Sequence, residues 1–95
     1  MKINESNIQK LLKSAYLQIN QGNFEKAKNL FKKVISINNN LPEVYNDLGS
    51  IFLNEKNFKE AIKYLNQAVK LNPKLSIAYL NLGIIYQKIN DFKMA

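Results

Sequence analysis

One spacing governs this chain. Phe24, Phe58 and Phe92 stand 34 residues apart, and so do Ala27, Ala61 and Ala95. Residues 8–41 and 42–75 align without a gap, each 34 long, and 76–95 opens a third copy. Tyr45 pairs in register with Tyr79, Leu48-Gly49 with Leu82-Gly83, and Phe52 with Tyr86. A fixed period of this length is the mark of stacked supersecondary units, none of which buries its apolar face alone.

Within each copy the apolar period is helical. Val44, Tyr45, Leu48, Ile51 and Phe52 fall on one face of a first helix, and Phe58, Ala61, Ile62, Leu65, Ala68 and Val69 on one face of a second. The corners "QGNF", "EKNF" and "INDF" are polar, and Asn57 is placed to cap the helix that follows it. Pro73 ends the second helix, having no N–H and disfavouring helix in the residue before it. Ser6 with Gln9 fits a capping box for the first helix. Five helices are predicted, near 7–20, 24–37, 42–55, 58–71 and 76–89. Gly49 and Gly83 lie inside helices, where glycine costs about 1 kcal/mol against alanine. Close backbone approach is expected at both, with Ala61 and Ala95 opposite.

Composition excludes several functions. There is no cysteine and no histidine, so a disulfide, a thiolate, a His triad and the usual zinc ligand sets are ruled out. The 7 carboxylates are scattered and no Gly-rich phosphate loop is present, so no enzyme and no cofactor is expected. The net charge is +7, carried by lysine alone. Arginine, the residue suited to bidentate phosphate recognition, is absent, so nucleic acid is not the expected partner. Lys26, Lys28, Lys32, Lys33, Lys59, Lys63 and Lys70 read as solvated faces of second helices, with non-specific nucleic-acid binding as the minor alternative. No segment resembles a signal peptide or membrane span, so a cytoplasmic protein with no membrane partner is the default.

The pattern Tyr45-x-x-Leu48-Gly49-x-x-Phe52, then Ala61-x-x-x-Leu65, Ala68 and Pro73, resembles the tetratricopeptide repeat. Tyr79-x-x-Leu82-Gly83-x-x-Tyr86 matches equally well, while the first copy is degenerate, with Leu11, Ser14, Ala15 and Gln18 at the signature positions. The resemblance implies an all-α fold of antiparallel helix–turn–helix units stacked as a right-handed solenoid. It divides the chain into a lead-in and cap over 1–7, a degenerate repeat over 8–41, a second over 42–75 and a truncated third over 76–95. On this reading the sequence is expected to be a piece of a longer array.

The resemblance also implies a scaffold that binds a peptide or helical segment of a partner protein in a groove lined by first helices. Carried over residue by residue, that groove comprises Leu12, Lys13, Tyr16 and Asn20, then Asn46, Asp47, Ser50, Leu53 and Asn54, then Ile77, Leu80, Asn81, Ile84 and Lys88. The carboxylate clamp of some relatives is missing, since Leu12, Tyr16, Asp47, Ile77 and Asn81 occupy its positions. Asn81 matches the asparagine rung that other relatives use on a peptide backbone, and Asn46 lies one residue off it. Ile77, Leu80 and Ile84 form an apolar stripe, either a docking floor or a surface partly covered by neighbouring helices. Tyr79, Leu82, Ile85, Tyr86 and Ile89 lack the second helix of their own copy, so homo-oligomerisation through this end is expected, as the main role of a larger protein's repeat segment in the alternative reading.

Overall fold

A computed structural model describes residues 2–94 of the chain, with side chains over 5–93. Five helices make it an all-α helical-repeat fold, with no strand among the described residues: α1 (Lys2–Asn20), α2 (Phe24–Ile37), α3 (Pro42–Asn54), α4 (Phe58–Leu71) and α5 (Ser76–Met94). They form two compact units, Met1–Leu41 and Pro42–Ala95.

In the first unit α1 packs on α2. Ile8 and Ala15 are buried from α1, and Ala27, Phe31 and Val34 from α2 at i, i+4, i+7. Tyr16 meets Phe31 edge-on, with ring centroids 5.6 Å apart. The corner is a Schellman turn: Asn23 N–H donates to Gln18 C=O (2.8 Å) and Gly22 N–H to Ile19 C=O (3.0 Å), with Gly22 at φ 77°. Lys28 is buried at 7% exposure and ion-paired with Glu25, so it is not one of the solvated lysines the charge pattern suggests.

In the second unit α3 packs on α4, and α5 packs against both. A side chain on Gly49 would put its Cβ 2.6 Å from Leu65 Cγ and 3.3 Å from the Ala61 carbonyl, so the close approach is real. Tyr64 stacks on Phe52 at 5.5 Å and on Tyr45 at 6.4 Å. Burial, then the neighbouring Tyr64, pushes the Tyr45 phenol above its usual range. The corner repeats the Schellman bonds, Asn57 N–H to Phe52 C=O and Lys56 N–H to Leu53 C=O, both 2.9 Å. The Asn57 side chain caps α4 by accepting from Glu60 N–H at 3.4 Å. Asn38 and Asn72 end α2 and α4, and each side chain accepts from the backbone N–H two residues on, at 2.9 and 3.0 Å.

Three expectations fail. α1 begins at Lys2, so Ser6 and Gln9 lie inside the helix rather than in a capping box. No proline or glycine precedes Gly22, so nothing forces a start at Ser6. α5 runs through "INDF" to Met94 instead of turning. Asn90, at the register position of the earlier corners, lies inside this helix. Gly83 has no close neighbour: nothing lies within 4 Å of a Cβ built there. Ala95, expected opposite it, lies outside the described residues.

The two helical glycines therefore separate a steric role from a propensity. Gly49→Ala is expected to lower stability by about 1–3 kcal/mol through overpacking against Leu65. Gly83→Ala is expected to raise it by up to about 1 kcal/mol, since only helix propensity changes. Urea unfolding of the two variants checks the opposite signs.

Candidate functional site

In the second unit α3 and α5 turn one face each to a shared groove. Ser50, Leu53 and Asn54 from α3, Lys56 from the corner, and Asn81, Ile84 and Lys88 from α5 line a cavity of about 300 Å³. At its inner wall Asn81 Nδ2 donates to Asn46 Oδ1 at 3.0 Å. These asparagines stand 35 residues apart, one more than the repeat, so the bond joins positions that are not equivalent in the two copies. Asn46 is only 7% exposed, while Asn81 is half-buried and keeps a carbonyl oxygen that the pair bond does not use.

Other groove candidates are distributed less tidily. Leu53 is buried and forms floor rather than rim; Asp47 is half-buried and Asn54 exposed. Ile77 and Leu80 are exposed on α5 but line no part of this cavity, whereas Ile84 does. Leu12 is half-buried on α1, and Lys13, Tyr16 and Asn20 are exposed there.

The residues expected to associate split into two sets. Leu82 and Ile85 are buried with Ala78 at i, i+4, i+7, on the face α5 turns to α3 and α4, so they cannot form an open surface. Their counterparts Leu48 and Ile51 are buried in the same way on α3, so this face is filled in both copies. Tyr79 and Tyr86 point elsewhere, at 49% and 53% exposure, and Ile89 is half-buried.

Lys56 was not among the candidates. It borders the groove and also a second hollow of about 180 Å³, with Phe58, Lys88, Asp91 and Phe92, where the Phe58 and Phe92 rings lie 6.0 Å apart. Its φ of 62° makes it the one non-glycine residue with positive φ among those described. The signal was available in register, because Lys56 stands where the first corner has Gly22.

Among the described residues no helix is long and apolar enough to cross a membrane, and no three His, Cys, Asp or Glu side chains gather to hold a metal.

A left-handed conformation costs a non-glycine residue about 1–2 kcal/mol, and glycine returns part of that through the freer unfolded chain, about 0.4–1 kcal/mol. Lys56→Gly is thus expected to stabilise the chain modestly, which a denaturant midpoint raised at constant m would show.

The family model of the tetratricopeptide repeat protein 21 C-terminal ARM domain matches residues 3–95. Among solved structures, the N-terminal domain of stress-induced protein-1 (STI-1) from C. elegans is similar at TM-score 0.84 and 22% identity, covering 98% of this chain and 78% of that one. No match was found among curated proteins. The chain belongs to the tetratricopeptide repeat protein 21 C-terminal ARM domain family, a tetratricopeptide-related helical repeat of the kind typical of protein-interaction scaffolds.

Proposed function

We propose that the chain is a non-catalytic scaffold that holds a peptide or short helix of a partner protein in the α3–α5 groove. The observation that carries this reading is the hydrogen-bonded Asn46–Asn81 pair beside an apolar floor of Leu53 and Ile84. A side-chain amide offers both donor and acceptor, and can match a peptide group without neutralising a charge. Leu53 and Ile84 reward an apolar side chain of the guest, at roughly 25 cal/mol per Å² buried. Asp47, on the same helix as Asn46, disfavours an acidic C-terminal tail. The lysines of α2 and α4 lie on helices other than the two that form the groove. No reaction is assigned, since the groove brings together amides, a hydroxyl, apolar side chains and lysines, with no nucleophile–base pair.

Selection from a random 12-residue peptide library on the intact chain tests this directly. Selected peptides are expected to weaken about tenfold or more with Ile84→Ala or Asn81→Ala and little with Lys59→Ala. Affinity is expected to change by less than about threefold between 50 and 200 mM salt. A collapse by orders of magnitude over that range would assign binding to the lysine surface through counterion release.

A further inference from the structure

The groove cavity between α3 and α5 has no carboxylate in its lining, yet two lysines border it. Lys88 lies on α5 and Lys56 in the corner after α3, and both are exposed. The same two lysines border the neighbouring hollow of about 180 Å³, so both stand at one end of the groove. Asp91 lines that hollow but not the groove, Glu55 lines neither, and Asp47 lies outside the lining, seven residues before Asn54 on α3. The whole lining falls within residues 50–88, on helices seated together in one unit.

Lys56 carries a second signal. It holds φ 62°, where the equivalent residue of the first corner is Gly22 at φ 77°. Packing of α4 on α3 fixes that backbone, but glycine would meet it without strain. What the lysine adds at this position is its side chain, a cation beside the groove.

We infer that Lys56 and Lys88 form an acid anchor: the guest peptide presents one Asp or Glu side chain to this pair, beside an apolar residue seated on Leu53 and Ile84. This deepens the peptide-groove reading and rests on it. Two ammonium groups around one cavity repel each other until an anion lies between them. A lysine is a compact point charge with three donors, which suits a single carboxylate. Ser50 and Asn54, on the same lining, add a hydroxyl and an amide able to donate to carboxylate oxygens. Asp47 repels the acid from the other end of α3, so the guest lies one way round.

Helix geometry sets the spacing. Lys88 is four residues beyond Ile84, about 6 Å along α5. An extended guest covers that distance in two residues and a helical guest in four. Both spacings put the acidic and apolar side chains on one face of the guest. One carboxylate is not a polyanion, so the weak salt dependence of groove binding stands.

Two parallel selections from the random 12-residue peptide library test this, one on the intact chain and one on the chain carrying Lys56→Gly and Lys88→Gln. Peptides from the first are expected to be enriched in Asp or Glu, two or four positions from an apolar residue. Peptides from the second are expected to keep the apolar residue and lose the acid. For the tightest peptide of the first pool, changing its acid to the matching amide should lower affinity at least threefold on the intact chain. The same change should have no measurable effect on the double variant, the mark of a direct pairing. Lys56→Gly relieves the backbone, so it should raise the denaturant midpoint while weakening that peptide. Damage to the fold would instead lower both. Lys59→Gln with Lys70→Gln removes the same charge from exposed positions on α4 and should leave binding unchanged. The anchor is overturned, and the groove reading kept, if selected peptides depend on Ile84 but show no acid at either spacing. An acid-to-amide change that costs less than threefold overturns it likewise. An acid effect abolished equally by the α4 pair belongs to net charge and also overturns the anchor. Peptides indifferent to Ile84→Ala and Asn81→Ala, or a failure to select any, overturn both readings.

Discussion

The contact on which the second unit depends is Leu65 seated in the notch of Gly49. A helical glycine costs about 1 kcal/mol against alanine, whereas fully burying a leucine is worth about 1.5–3 kcal/mol. The exchange is favourable only because the glycine lets the two helices close. Closure then sets the remaining geometry. It holds Tyr64 flat between Tyr45 and Phe52, and brings Ala61 and Ala68, both fully buried, into the interior. α4 in this position, with α3 beside it, makes the surface that receives Ala78, Leu82 and Ile85 of α5.

The corners follow from that packing more than from their own residues. Gly22 and Lys56 make the same pair of Schellman bonds, although one is the residue best suited to a left-handed backbone and the other is not. Lys56 holds the conformation because α4 must fold back along α3. Asn90, which tolerates that conformation better than lysine, stays helical inside α5. A residue suited to the turn does not by itself make one, and a poorly suited residue holds the turn where α4 packs back on α3.

This difference explains what could be read from the sequence. The 34-residue phase located α2, α3 and α4 to within about one residue, because periodic burial and true corners coincide there. The outer ends of α1 and α5 differ from the sequence pattern, since a cap motif and a corner motif are only permissive signals. Leu82, Ile85, Tyr79 and Tyr86 look alike in sequence because all four are largely apolar and recur with the repeat. The stripe at i, i+4, i+7 from Ala78 belongs to the core, and the stripe at the same spacing from Tyr79 does not. The Asn46–Asn81 bond was invisible to alignment, because its partners differ by 35 residues where alignment pairs positions 34 apart. Spatial neighbours in stacked helices need not be repeat-equivalent residues.

The high positive charge finds its place in the same picture. Exposed large apolar side chains on α5, from Ile77 to Phe92, would ordinarily favour non-specific clustering. A net charge of +7 opposes that between like copies. The chain has no histidine, so no side chain with an ordinary pKa near neutrality changes that charge across the physiological range. Most of the second-helix lysines are solvent-exposed, while the groove is lined by Ser50, Leu53, Asn54, Asn81 and Ile84 together with Lys56 and Lys88. Charge thus supplies a general repulsion between like copies, and in the proposed groove reading the amides and apolar side chains supply the recognition.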